Sequence, residues 1–185
     1  MKLSPSLLKA AKKIELIALD VDGVLTDGKI IIDDKGAESK HFNVRDGMGI
    51  AVALKQGLQV AVISGRYSKV VEHRAKELKI PHVYQDVADK KLVFVKLLAK
   101  LKLAPVQAAF MGDDVNDAEV LSLAGFSCAP SDADDAAKAS ALWVSSRRGG
   151  DGAVREMCQL IMTAQGKWAR AWPGLTRIIH GQNRE

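Results

Sequence analysis

The chain has 185 residues, 48% of them hydrophobic, enough for one domain with a sizeable core and too few for two large ones. Its 27 basic residues outnumber 22 acidic ones, a mild surplus of +5 that suits an anionic partner such as a phosphate ester, while aromatics at 5% and the lack of a basic block interleaved with Phe or Tyr argue against nucleic acid. No stretch approaches the roughly 18 apolar residues of a membrane span, no secretory leader is visible, and Cys128 and Cys158 lack metal-ligand spacing, so a cytoplasmic protein with reduced, packed cysteines and no membrane partner is expected.

Residues 3–13 carry Leu3, Leu7, Leu8, Ala10 and Ala11 behind Ser4 and Pro5, a helix start. The apolar run 14–19 reads as a buried strand, and it ends at Asp20 and Asp22, followed by Gly23. Two like charges at the mouth of a buried strand repel each other and resist desolvation, so they require a cation or an anionic substrate to organise them. Residues 29–32 and 38–42 flank the turn Asp33-Asp34-Lys35-Gly36 and predict a β-hairpin, a candidate flap over about 28–42. A helix then runs to Gly57, and a strand over 58–63 ends at the polar turn Ser64-Gly65-Arg66. A helix over 68–79, a strand over 82–84 and a helix over 89–101 lead to a strand over 108–111 that stops at Gly112-Asp113-Asp114. The pattern closes with a helix near 116–124, strands over 126–128 and 142–144 around a short helix near 132–139, and a helix over 152–164. Beyond Gly166 the composition turns basic and aromatic, so the tail 166–185 is expected to leave the globule, with Trp168 and Trp172 a packing pair.

Strands alternating with helices of about a dozen residues predict an α/β fold: a doubly wound, mostly parallel sheet in a single domain over 1–165. Such sheets bind ligands at the carboxyl ends of their strands, where Asp20 and Asp22, Ser64, and Asp113 and Asp114 converge. Hydrolysis of a phosphate monoester needs a nucleophile, a proton donor for the leaving alcohol and positive charge on the phosphoryl oxygens. Asp20 is the candidate nucleophile and Asp22 the candidate acid/base. Asp113, with Asp117, is a candidate ligand of Mg²⁺, a hard cation that takes one or two carboxylates. Ser64 and the Gly65 amide are candidates to bind the phosphoryl group at a helix N-terminus, and Lys90 to neutralise its charge and tether Asp20. The residues alone leave Lys91 open in place of Lys90, Asp117 as a first-turn acid favoured by the helix dipole, and Ser64 as a helix cap. Arg45, Arg66 and Arg74 are candidates for a substrate carboxylate, or solvated surface cations; His41, His73, His82 and His180 share no metal-ligand spacing.

DVDGVLTDG, ISGR, ADK and GDDVND, in this order, resemble the four motifs of the haloacid dehalogenase-like phosphatases. FNVRDGMGI, RAKEL and GAVREMCQLI resemble its small capless branch, among phosphatases of phosphorylated octulosonic acids in lipopolysaccharide synthesis; the likeness covers about residues 14–168. It implies a Rossmann-like core with no cap domain and Mg²⁺-dependent hydrolysis through an aspartyl-phosphate. By position it implies Asp20 as nucleophile and metal ligand, Asp22 as acid/base and, through its backbone carbonyl, a metal ligand, Ser64 and Lys90 on phosphate, and Asp113 on Mg²⁺ with Asp114 and Asp117 in support. It also implies a homotetramer in which hairpins form a central barrel and a neighbouring subunit closes each site, with the tail from Gly166 reaching into it. A nine-carbon sialic-type 9-phosphate, or a broader set of phosphosugars, is the alternative substrate. The alternative from another class is a signalling receiver domain, which shares a doubly wound fold, Mg²⁺ and a phosphorylated aspartate but lacks an acid/base where Asp22 stands.

Overall fold

The computed structural model describes residues 4–171. The chain runs α1 (Pro5–Ala11), β1 (Leu16–Leu19), the hairpin β2 (Ile31–Ile32) and β3 (Glu38–Ser39), α2 (Val44–Lys55), β4 (Gln59–Ile63), α3 (Lys69–Glu77), β5 (His82–Tyr84) and α4 (Lys90–Leu101). It continues through β6 (Ala108–Met111), α5 (Ala118–Leu123), β7 (Phe126–Ala129), α6 (Asp135–Ser140), β8 (Trp143–Val144), α7 (Ala153–Ala164) and α8 (Trp168–Ala171). Six strands form one parallel sheet in the order β5-β4-β1-β6-β7-β8, and β2 pairs with β3 antiparallel, apart from it.

Side chains alternate faces along a strand, and here both faces are apolar. Ile17 and Leu19 of β1, Val60 and Val62 of β4, and Ala109 and Met111 of β6 join one core cluster with α1, α2, α3 and α7. Leu16 and Ala18, Ala61 and Ile63, and Ala108 and Phe110 join the other, with α4, α5 and α6; Phe94 meets Phe110 edge-on at 6.0 Å. Helices on both faces are what strands buried on both sides require. Leu19 lies in register with Val62 on one side and Met111 on the other, so the loops after β1, β4 and β6 emerge at one level. Side-chain caps start several helices: Ser4 accepts from Leu7 N at 3.2 Å, Asn43 from Arg45 N at 2.8 Å and Asp89 from Leu92 N at 2.8 Å.

Every predicted strand is found, with differences at the edges. The hairpin strands pair over only two residues each, with Asp33 Oδ1 accepting from Lys35 N and Ala37 N to close the turn. The tail reading needs correcting at its start. Residues 168–171 form α8 against α7, where Trp168 is 6% exposed under the Arg155 guanidinium, 4.5 Å from its ring centroid. An indole offers too much apolar area to leave in water. Trp172 and the rest of the tail lie outside the described residues, as does Leu3. Cys128 and Cys158 are buried and unpaired with each other. Among the described residues no helix is long and apolar enough to cross a membrane.

Candidate active site

The loop after β1 turns at once, because the amides of Val24, Leu25 and Thr26 all donate to Val21 O. Gly23 has φ +84, and a Cβ there would meet Asp113 Oδ2 at 1.8 Å, so a side chain would displace the carboxylate that faces it. A second loop supports the first from behind: a Cβ on Gly149 would lie 1.7 Å from Gly23 O, and Gly150 N donates to Val24 O at 2.9 Å. Nothing in the sequence reading marks the pair Gly149-Gly150; its role is backbone-to-backbone contact.

Oxygens of Asp20, Asp113 and Asp117 lie within 4.8 Å of one another. Lys90, at the start of α4, reaches Asp20 Oδ1 at 3.1 Å and Asp117 Oδ1 at 2.8 Å, and it is as buried as they are. Lys91 instead points outward to Glu119 at 3.0 Å. Asp117 is fully buried in a 3₁₀ turn over 115–117, where its Oδ2 accepts from Asp113 N at 3.1 Å and Asp114 N at 3.4 Å. It is thus not a solvated first-turn acid: both oxygens are engaged, and it shapes the loop that presents Asp113.

Burial, with the Asp117 charge beside it, pushes Asp20 up to about 7 against the pull of Lys90. Burial, then the charges of Asp20 and Asp117, pushes Asp113 up to about 8. Burial disfavours the Lys90 ammonium, yet Asp20 and Asp117 hold its pKa above the ordinary lysine value. Asp113 Oδ1 is buried with no hydrogen-bond partner among the described residues. Three clustered carboxylates, two of them paired with one lysine and the third with a buried oxygen left over, suit a hard divalent cation. Asp20 and Asp113 are the residues with oxygen to offer it.

Asp22 lies outside this cluster. Its Oδ1 is held by Lys40 Nζ of the hairpin, and its Oδ2 lies 3.5 Å from Arg66 Nη1. Lys40 was not a candidate in the sequence, although alternation in a strand puts Glu38 and Lys40 on one face. Ser64, 3% exposed at the end of β4, accepts from Arg66 N at 3.3 Å. The expectation of a helix N-terminus at Ser64 and Gly65 is corrected: α3 begins at Lys69 behind Ser68, and residues 64–68 are a loop with a bend at 65–66. Of the three candidate arginines only Arg66 reaches Asp22. Arg74 pairs with Glu77 at 2.8 Å and covers the Phe42 ring, while Arg45 lines an open cavity of about 890 Å³ with Lys12, Arg147 and Arg155.

Comparison with known proteins bears on the chemistry. Residues 82–157 match the family model of haloacid dehalogenase-like hydrolases. The 3-deoxy-D-manno-octulosonate 8-phosphate phosphatase of Salmonella typhimurium is 46% identical over 164 residues, 89% of this chain and 87% of that protein. The crystal structure of the Yersinia pestis phosphatase of the same name superposes with a TM-score of 0.88 at 42% identity over 90% of each chain. That from Moraxella catarrhalis, in complex with a magnesium ion, a phosphate ion and KDO, gives 0.89 at 36% identity over 98% of this chain and 100% of that one.

Proposed function

We propose a function from one premise: the chain belongs to the haloacid dehalogenase-like hydrolases, among the 3-deoxy-D-manno-octulosonate 8-phosphate (KDO 8-phosphate) phosphatases. It hydrolyses KDO 8-phosphate to KDO and inorganic phosphate with Mg²⁺ bound, a step of lipopolysaccharide synthesis. The observation that carries this reading is the buried cluster of Asp20, Asp113, Asp117 and Lys90, with one Asp113 oxygen unpartnered and Asp22 held separately beside it.

In the first half-reaction an Asp20 oxygen attacks phosphorus. The new Asp20 O–P bond forms as the ester P–O bond breaks, and the proton of the Asp22 carboxyl passes to the leaving alkoxide. In the second, the Asp22 carboxylate takes a proton from water as the water oxygen bonds to phosphorus; the Asp20 O–P bond breaks, regenerating the carboxylate and releasing phosphate. Lys90 fixes Asp20 for attack and, with the Ser64 hydroxyl and the Gly65 amide, binds the phosphoryl oxygens. Arg66, beside Asp22, is the arginine best supported for the sugar carboxylate. Asp20, Asp113 and the backbone carbonyl of Asp22 hold the metal, with Asp114 and Asp117 shaping its loop. The bound Mg²⁺ offsets phosphoryl charge so that an anionic nucleophile can approach an anion.

A homotetramer completes the site. Its support is the apolar surface that one copy leaves exposed on and beside the hairpin: Ile30, Ile32, Val44 and Met48. The buried, free thiols fit a reducing compartment, the cytoplasm.

The test is phosphate release by the purified protein with Mg²⁺ from KDO 8-phosphate and from a nine-carbon sugar acid 9-phosphate. The expected kcat/KM favours the first by about tenfold or more; equally poor turnover of both overturns the assignment. Asp20→Asn is expected to abolish turnover and Asp22→Asn to lower it by about 100-fold or more.

A further inference from the structure

Lys40 is an unusual residue for a two-stranded flap. Its side chain is 1% exposed, although most of the hairpin around it is open to water. A lysine has a long enough stem to carry its ammonium outward, and burying it costs desolvation unless partners offset the cost. Here it has two: Asp22 Oδ1, and Glu38 Oε1 at 3.3 Å. The same Glu38 oxygen accepts from Arg66 Nη2 at 3.2 Å, and Arg66 Nη1 lies 3.5 Å from the other oxygen of Asp22. Asp22, Lys40, Glu38 and Arg66 therefore close a ring of alternating charge that draws on three elements: the loop after β1, strand β3 with its end, and the loop after β4.

The ring acts on two things at once. It holds each Asp22 oxygen with a cation from a different element, so the carboxylate is fixed against rotation as a single ion pair would not fix it. It also ties down a hairpin that two residues per strand would leave marginal in water. A general acid works only within hydrogen-bond reach of the oxygen it protonates, and small misplacements cost rate steeply.

We propose that Lys40 is a positioning residue for Asp22, so that seating the hairpin and aiming the proton donor at the leaving group are one event. This rests on the reading of Asp22 as the acid/base. Lys40 pairs with Asp22 and Glu38, while the nucleophile Asp20 pairs with Lys90, so Lys40 acts through the carboxylate it holds.

The test uses aryl and alkyl phosphates of graded leaving-group basicity, from p-nitrophenyl through phenyl to a simple alkyl phosphate, with the full-length protein and Mg²⁺. None carries a sugar, so a role for Lys40 in sugar binding cannot enter. A p-nitrophenolate leaves without a proton, whereas an alkoxide needs one. In Lys40→Met the plot of log kcat/KM against leaving-group pKa is expected to steepen, the alkyl ester losing about tenfold more than p-nitrophenyl phosphate. Asp22→Asn steepens it further, and Lys40→Arg, which keeps a cation there, returns the slope toward that of the unaltered protein. A parallel fall across the series means that Lys40 is merely structural and overturns the proposal, as does an unchanged plot. If Asp22→Asn steepens the slope and Lys40→Met does not, only the positioning role falls. If Asp22→Asn leaves the slope unchanged, the acid/base reading of Asp22 falls and takes this proposal with it.

Discussion

Asp20 and Asp113 sit close enough, and deep enough, that in the metal-free protein burial drives both toward their protonated forms, about 7 and about 8 against 3.8 in an open chain. Between about pH 4 and pH 8 the folded state then holds protons that the unfolded chain has released, so the slope of stability with pH is negative. The thermal midpoint of chelator-treated protein is expected to fall as pH rises through that window and to flatten above it. The fall should be smaller in Asp113→Asn. Mg²⁺ takes the place of those protons, so its affinity rises over the same range, and the gain in midpoint on adding Mg²⁺ widens with pH. A metal-free midpoint that climbs steadily from about pH 5.5 to 8.5 would contradict this account of the carboxylates.

Helix α7 starts behind its cap residue Gly152, φ +100, which has no side chain to accept the helix's first amides. The acceptor comes from far away in the chain. Asp46, 1% exposed in the first turn of α2, accepts from Gly152 N at 3.1 Å and Arg155 N at 2.7 Å. Burial raises the pKa of Asp46 and these amides oppose the rise, so the bonds stabilise the ionised form they cap. Asp46→Ala should lower unfolding free energy by about 2 kcal/mol, read from denaturant midpoints at constant m-value, because it orphans buried amides at a helix start. A loss under about 0.5 kcal/mol would show that water replaces the cap. The sequence displayed Asp46 only as a letter of FNVRDGMGI, and its partners lie more than a hundred positions on. The elements themselves were legible, because a strand apolar on both faces and a helix opened by Asp89 or closed by Gly57 announce themselves over a few neighbouring residues. Lys40, Asp46 and the Gly149-Gly150 contact were not, since each acquires its meaning from a partner in another element.

At the scale of the molecule the six-stranded sheet brings the ends of β1, β4 and β6 to one edge, and this was readable from the order of the motifs. The start of the tail was misread because a basic composition outweighed one indole that the core could take in. The hairpin leaves Ile30 58% and Ile32 60% exposed, apolar area that a lone copy would keep in water. On the proposed homotetramer, Ile32→Asp is therefore expected to give smaller species than the unaltered chain in light scattering while the circular dichroism of the sheet core is kept. A tetramer that survives this change would remove the hairpin from the interface. The two cysteines allow a different measurement. Cys128 lies in the sheet and Cys158 on α7, within one core cluster, and burial raises both thiols, Cys158 to about 12. Neither can react with a thiol reagent until the layer above it lifts. With reagent in excess, the unaltered chain thus times its own opening from two vantage points. Because both thiols lie in one cluster they should disappear with one rate constant; faster loss of Cys158 would mean that α7 peels from the sheet as a separate unit.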